Sequence, residues 1–218
     1  MGVFLYLGLL VAIAEGLSRW IPDDPEITRK VVHIGSGNVI LLAWLFGIEK
    51  EVIVSAAVIA GIIALISYAV PILPSINAVG RKSLGTLFYA VSIGVLATAF
   101  WDDFPEYTTI GILVMAWGDG MAAIIGQRFG RHKYRLFGIE KSWEGSGAMA
   151  IASFTVTVLI LLLVRDNSLS IWITGFLVAS MATVLEAFSK LGLDNLTVPI
   201  ASGILCYIAF QQGLAFPI

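Results

Sequence analysis

Residues 117–148 read W-G-D-G-M-A-A-I-I-G-Q-R-F-G-R-H-K-Y-R-L-F-G-I-E-K-S-W-E-G-S-G-A. The stretch begins with an acid, Asp119, inside an apolar segment, and it then crosses the most basic part of the chain. It ends in glycines and small residues that open the next apolar segment. An acid at membrane depth, a cluster of cations and a glycine-rich helix start can together hold a metal and a polyphosphate beside a bilayer. We therefore expect the fold to be organised around this stretch.

The composition of the whole chain indicates a membrane protein. Of its 218 residues, 58% are hydrophobic and only 13% are charged, and the mean hydropathy is +0.93. A soluble domain has about a quarter of its residues charged. The single cysteine, Cys206, lies in an apolar run and cannot form an internal disulfide. The flanks of residues 3–17 indicate a retained helix rather than a signal peptide.

Eight segments approach the roughly 20 apolar residues that are needed to span a membrane. They predict an all-α, polytopic integral membrane protein of about eight transmembrane helices. Seven or nine spans stay open, because the second segment is short and the seventh ends in polar residues. No repeat or linker divides residues 1–218, which we interpret as one domain. The segments are 2–20, 31–46, 52–70, 84–100, 108–126, 146–164, 170–189 and 196–215.

Positive charge lies almost entirely on one side of this topology. Of the 13 lysines and arginines, only Lys50 and Arg165 fall on the other side. The positive-inside bias then places both termini on the non-cytoplasmic side and the basic loops in the cytoplasm. The eleven residues on the cytoplasmic side are Arg19, Arg29, Lys30, Arg81, Lys82, Arg128, Arg131, Lys133, Arg135, Lys141 and Lys190.

Cations directly precede three of the helices that begin on the cytoplasmic side, as Arg29-Lys30, Arg81-Lys82-Ser83 and Lys141-Ser142. A helix N-terminus beside lysine or arginine attracts anions. Flanking cations also anchor helices at headgroups, but three such starts on one face favour a shared polyphosphate pocket. The fourth start carries Asp194-Asn195, where Asp194 is either an N-cap or a magnesium ligand.

Three carboxylates, Glu15, Asp119 and Glu186, lie within or at the ends of apolar segments. An acid at the centre of a span costs about 2.5–3.5 kcal/mol, so it needs a partner, a metal or access to water. Asp119 is the best candidate, because we expect Gly118 and Gly120 to loosen the helix around it. Structural roles stay open for the other two carboxylates.

Two further segments contain residues suited to phosphate chemistry. His33 follows Arg29 by one helical turn and suits phosphate or base binding or a proton relay, although a helix cap is an equal alternative. Lys141 suits phosphate, and the glycines that follow it allow backbone amides to approach. Glu144 either binds a metal or holds Lys141. The two histidines and one cysteine form no recognisable zinc site.

At these residues the chain resembles the polyprenol kinase family of integral membrane proteins: phytol kinase, dolichol kinase and the CTP-dependent diacylglycerol kinase. Its compact size most resembles cyanobacterial phytol kinase-like members. The matching blocks cover residues 29 to 199 in the order that the family shows. They are Arg29-Lys30-x-x-His33, Arg81-Lys82-Ser83-x-Gly85-Thr86, Gly118-Asp119-Gly120-x-Ala122, Lys141-Ser142-x-Glu144-Gly145-Ser146, and Glu186 with Asp194-Asn195 and Pro199.

The resemblance implies a kinase that transfers the γ-phosphate of a nucleoside triphosphate, with CTP as the expected donor, to phytol, geranylgeraniol or a polyprenol at the cytoplasmic interface. It implies Mg²⁺ held by Asp119 and Asp194, with Glu186 as a further ligand. Asp119 or Asp194 is the expected proton acceptor, with His33 as the alternative. The expected phosphate- and nucleotide-binding residues are Arg29, Lys30, Arg81, Lys82, Ser83, Gly118, Gly120, Lys141, Ser142, Glu144, Gly145, Ser146 and Asn195.

Other functions remain as alternatives. The chain is more distantly similar to phosphatidate cytidylyltransferase, which has a comparable stretch from Asp119 to Gly145, but the closing signature of that enzyme, rich in His, Gly and paired Asp, is absent. A CTP-dependent diacylglycerol kinase is a second alternative. An ion or proton transporter would need acids through the full membrane depth, yet the outer half of every span lacks them. We expect no nucleic-acid partner, and a homodimer stays open.

Overall fold

The computed structural model describes residues 2–21, 24–69 and 84–211, and this part of the chain is helical apart from one two-stranded hairpin. The helices are α1 (Gly2–Trp20), α2 (Pro25–Gly37), α3 (Val39–Leu45), α4 (Lys50–Ala69), α5 (Gly85–Phe100), α6 (Pro105–Phe129), α7 (Trp143–Val164), α8 (Leu169–Ala187) and α9 (Asp194–Gln211). The strands are β1 (Lys133–Leu136) and β2 (Ile139–Ser142).

Each predicted span coincides with one helix except the second. The prediction of a single helix over 31–46 is wrong, because α2 ends at Gly37 and α3 begins two residues later. Asn38 stands at the break, and its side-chain oxygen accepts a hydrogen bond of 2.9 Å from the Trp117 indole N–H. Glycine is a weak helix former, and Gly35 and Gly37 precede the break.

Four described helices are long and apolar enough to cross a membrane, namely α4, α6, α7 and α8. Two shorter apolar helices, α5 and α9, accompany them. Large apolar side chains are exposed along these helices, for example Ile59 on α4 and Ile151 on α7. An exposed apolar surface of this extent is expected where lipid replaces water. The membrane character is therefore supported, while the total of about eight spans remains a prediction.

Helix α6 is the centre of the described bundle, since α2, α3, α5, α7 and α9 all pack on it. Its residues from 107 to 116 are all buried. Small residues allow the closest approaches: a Cβ atom at Gly111 would lie 2.5 Å from the Pro199 carbonyl oxygen of α9. Close packing at glycine is the usual basis of helix association in membranes. The side chains of residues 107–116 of α6 are consequently held inside protein.

The basic loop after α6 contains an antiparallel hairpin, which the all-α prediction did not include. Strands β1 and β2 pair Lys133 with Ser142 and Leu136 with Ile139. Phe137 and Gly138 form the turn and both have positive φ, which matches the two-residue turns that suit a hairpin twist. The hairpin delivers Ser142 as the N-cap of α7, where its hydroxyl accepts a 3.1 Å hydrogen bond from the Gly145 N–H.

Candidate active site

Asp119 points from α6 into the bundle and meets a lysine of α2. The Lys30 ammonium donates to Asp119 Oδ2 at 2.5 Å, and the two side chains are only 5% and 15% exposed. A buried pair of this kind satisfies both charges, whereas either group alone would be left uncompensated. The structure thus brings together two residues that the sequence predicted for the site, and it makes each the partner of the other.

The glycines on both sides of Asp119 pack helices together. Helix α6 is continuous over this region, so the expectation that they loosen it is wrong. A Cβ atom at Gly118 would lie 2.5 Å from the Met149 sulfur of α7, and one at Gly120 would lie 2.5 Å from Ile34 of α2. They therefore let α7 and α2 approach Asp119 closely enough to enclose it.

His33 lies on the other side of the Asp119 carboxylate, with its Nε2 atom 3.6 Å from Oδ2. Its ring contacts the ring of Tyr89 on α5, with 5.3 Å between the centroids. Both His33 Nε2 and the Tyr89 hydroxyl are buried without a hydrogen-bond partner in the described structure. Tyr89 was not predicted, because nothing in its sequence surroundings distinguishes it from an apolar-helix tyrosine.

The second ion pair of the site joins the hairpin to α8. The Lys141 ammonium of β2 donates to Glu186 Oε1, and the Glu186 side chain is 4% exposed. Burial lowers the pKa of the Lys141 ammonium, but the negative charges of Glu186, Asp119 and Asp194 outweigh that effect and hold the pKa above its ordinary value. Lys141 therefore carries its charge at neutral pH.

Asp194 begins α9 and lies within electrostatic reach of Asp119, Lys141 and Lys30. Its backbone N–H donates to the Ser189 hydroxyl at 2.7 Å, and its Oδ1 accepts from the Asn195 N–H at 3.0 Å. These contacts fix the first turn of the helix, but Oδ1 bonds the N–H of the next residue and Asp194 is itself helical, so it is not the N-cap that the sequence offered as one alternative. Asn195 also donates from its side chain to the Gly192 carbonyl at 3.3 Å.

Two predicted charges lie at the edge of this cluster or outside it. Glu15 is 61% exposed and pairs with Arg19 one turn away, so α1 does not bring it to the site. Arg29 donates to Glu26 at 2.8 Å through its Nε and is 46% exposed. It still lies within electrostatic reach of Asp119 and Asp194. The predicted residues Arg81, Lys82 and Ser83 lie outside the described residues.

The segment after Lys141 contacts the hairpin and α6. Glu144 accepts from the His132 ring nitrogen Nδ1 at 2.7 Å, so in this structure it does not hold Lys141. A Cβ atom at Gly145 would lie 2.9 Å from the Ala122 carbonyl oxygen, which shows that this glycine permits the α6–α7 contact. Ser146 hydrogen bonds the Tyr134 hydroxyl at 2.6 Å.

The donor set suits magnesium better than a soft metal. Asp119 and Asp194 offer carboxylate oxygens, and Mg²⁺ typically binds one or two carboxylates together with substrate phosphates. Within residues 2–21, 24–69 and 84–211, no group of three or more His, Cys, Asp or Glu side chains is placed to hold a metal.

Known proteins with related sequences act on isoprenoid alcohols by name. The chain is 49% identical over 203 residues to the phytol kinase of a Synechocystis species, covering 93% of this chain and 87% of the relative. It is 30% identical to the probable chloroplastic phytol kinase of Triticum aestivum, covering 92% and 73%. It is 30% identical to the chloroplastic farnesol kinase of Arabidopsis thaliana, covering 86% and 66%. No family model and no solved structure matches.

Proposed function

The chain belongs to the polyprenol kinase family, and on that premise we propose that it transfers the γ-phosphate of CTP to phytol or a related long-chain isoprenoid alcohol. The relatives named as phytol and farnesol kinases support an isoprenoid alcohol as acceptor. The choice of CTP comes from the family resemblance alone. A membrane setting suits such an acceptor, since its tail dissolves in lipid while its hydroxyl stays near water.

One observation carries the proposal: charged groups from five elements meet around Asp119. Lys30 and His33 approach the carboxylate from α2, and Asp119 itself comes from α6. Lys141 of β2, Glu186 of α8 and Asp194 of α9 complete the cluster. Buried charges at membrane depth are costly, so their convergence indicates a functional site.

Each side chain has a distinct proposed task. Asp119 and Asp194 would hold Mg²⁺, which neutralises charge on the transferred phosphoryl group. Lys141 and Arg29 would bind phosphate oxygens, with Lys30 keeping Asp119 ionised. Glu186 would hold Lys141 in position, and its role as a further metal ligand stays a prediction. The resemblance adds Arg81, Lys82, Ser83 and Asn195 to the nucleotide contacts.

The reaction balances without a further reagent. The alcohol oxygen forms a bond to the γ-phosphorus, and the bond between that phosphorus and the oxygen bridging the β- and γ-phosphates breaks. Nucleoside diphosphate leaves, and the hydroxyl proton passes to Asp119 or Asp194, with His33 as the alternative acceptor. Such a transfer depends chiefly on in-line positioning and on neutralising charge, and the cationic side chains of the Asp119 cluster would supply the neutralising charge.

Basic side chains flank the site on the hairpin, and we propose that this side faces the cytoplasm of a bacterial cell or the equivalent face of a thylakoid membrane. Arg128 lies in the last turn of α6, and Arg131, Lys133 and Arg135 follow it in the segment that leads to α7. The positive-inside bias assigns such a loop to the cytoplasm. The nucleotide would then arrive from water while the alcohol arrives from the inner leaflet.

The experiment that tests this proposal uses CTP labelled at either the α- or the γ-phosphate, with purified protein in lipid and phytol, geranylgeraniol, a polyprenol or diacylglycerol as acceptor. A kinase moves only the γ-label into the lipid and releases CDP. Phosphatidate is added as a further acceptor, and transfer of the α-label to it with release of pyrophosphate would instead identify a cytidylyltransferase. Parallel reactions with UTP, ATP and GTP identify the preferred donor.

A further inference from the structure

Two neighbouring polar atoms near the site take no part in the Lys30–Asp119 and Lys141–Glu186 ion pairs. They are His33 Nε2, which lies 3.6 Å from the Asp119 carboxylate, and the hydroxyl of Tyr89, whose ring contacts the His33 ring. Both atoms are buried without a hydrogen-bond partner in the described structure. Buried polar groups are nearly always hydrogen bonded, so an exception needs an explanation. A substrate group that bonds both atoms would provide one.

The two atoms border the same small region between three helices. His33 and Gly37 lie one turn apart on the same face of α2. A Cβ atom at Gly37 would lie 2.9 Å from the Tyr89 hydroxyl and 2.3 Å from the Ala116 Cβ of α6. The absence of a side chain at Gly37 therefore lets the Tyr89 hydroxyl reach α2, on the face from which His33 approaches Asp119.

In the described part of the chain, helices α2 and α5 both pack on α6 but share only marginal contact with each other, such as the ring contact of His33 with Tyr89. The apolar tail of an acceptor alcohol would pass between these two helices. Its polar end would remain beside Asp119.

We propose that His33 and Tyr89 form the binding pocket for the hydroxyl of the acceptor alcohol, an inference that rests on the proposed kinase function. In the proposed pocket the neutral His33 ring carries its proton on Nδ1, so that Nε2 accepts a hydrogen bond from the alcohol O–H. The Tyr89 O–H donates to the alcohol oxygen. One lone pair of that oxygen stays available to attack phosphorus beside Asp119.

The test is the Tyr89→Phe variant, which removes one oxygen atom and keeps the ring contact. With geranylgeraniol or phytol as acceptor, the KM for the alcohol should rise about three- to tenfold, the effect of one lost hydrogen bond. The KM for the nucleotide should not change. Because the hydroxyl has no partner in the protein, the melting temperature should stay the same or rise, which a purely structural tyrosine would not show.

The matched control is Tyr6→Phe, since the Tyr6 hydroxyl donates to the Gly35 carbonyl at 2.9 Å and so already has a partner. It should lower the melting temperature and leave the KM for the alcohol unchanged. An unaltered alcohol KM in Tyr89→Phe, or equal changes in both KM values, would overturn the pocket while the kinase function stands. Wild-type protein that is folded but phosphorylates no alcohol would overturn both.

Discussion

At the scale of single residues, the Lys30–Asp119 ion pair determines how much stability a substitution of either residue costs. Replacing Asp119 by Asn leaves the buried Lys30 ammonium without its counter-charge, and breaking a buried pair costs about 3–5 kcal/mol. We therefore expect Asp119→Asn to unfold at a lower temperature in detergent than the wild type. The double variant Asp119→Asn/Lys30→Met removes both charges and should recover most of the stability.

The melting temperatures of wild type, single and double variants measure this coupling. If the single variant were as stable as the wild type, the two charges would not depend on each other. If the double variant were less stable than the single one, Lys30 would have a more important partner than Asp119.

Lys141 and Glu186 allow the phosphate-binding and metal-binding roles to be separated. Lys141→Gln should raise the KM for the nucleotide about 10- to 100-fold, the loss of one hydrogen bond to a charged group. Glu186→Gln should leave the Mg²⁺ concentration for half-maximal activity unchanged, because its carboxylate contacts Lys141. A clear rise in that Mg²⁺ concentration would instead make Glu186 a metal ligand.

The sequence could predict which charged residues stand at unusual positions. It could not predict which residues form ion pairs or hydrogen bonds with each other. Asp119 and Lys141 stand out because an acid in an apolar segment and a lysine before a glycine-rich helix start are rare. The partner of Glu144, in contrast, proved to be His132, because the hairpin brings that residue back over the start of α7. Tyr89 could be recognised as a site candidate only from the structure, in which its hydroxyl is buried without a hydrogen-bond partner among the described residues. Such pairings depend on tertiary packing, which no local pattern encodes.

At the scale of elements, the α6–α7 contact depends on Gly145. Alanine at this position would place its Cβ 2.9 Å from a backbone oxygen of α6, and backbone cannot move aside without opening the crossing. We expect Gly145→Ala to cost about 1–3 kcal/mol, which is typical of overpacking. Gly147 provides the matched control, because a Cβ there meets nothing within 4 Å.

Gly147→Ala should leave stability unchanged or raise it by up to about 1 kcal/mol, since alanine favours the helix. Thermal unfolding in one detergent compares the two variants. Equal stability in both would mean that Gly145 does not limit helix packing. If Gly145→Ala raised the KM for the nucleotide without changing stability, that result would support the phosphate-binding role predicted for Gly145 from the sequence.

The elements themselves were largely predictable, because an apolar run of helical length has few other structures available in lipid. The break between α2 and α3 was not, since it depends on a hydrogen bond from Trp117, 79 residues away along the chain. The hairpin was missed for a related reason. Its turn begins with Phe137 in place of the usual asparagine or aspartate, so the local sequence does not contain the common signal for a two-residue hairpin turn.

At the scale of the whole molecule, the predicted orientation can be measured by labelling with a membrane-impermeant thiol reagent. Cys206 is the only cysteine and is buried, so a Cys206→Ala background gives no signal of its own. In intact bacterial cells, Asp166→Cys should be labelled from outside, because the predicted orientation puts its loop on the non-cytoplasmic side. Phe137→Cys, at the exposed turn of the hairpin, should be labelled only after permeabilisation. The reverse pattern would contradict the orientation.

The most direct test of the site as a kinase centre is γ-phosphate transfer by Asp119 variants that are shown to be folded. Wild-type protein, Asp119→Asn and Asp119→Asn/Lys30→Met are reconstituted in the same lipid with γ-labelled CTP and phytol or geranylgeraniol. We expect labelled alcohol phosphate from the wild type and a loss of at least about a thousandfold in both variants, including the one whose stability is recovered. Transfer at the wild-type rate by either folded variant would show that Asp119 is not at the centre of the reaction.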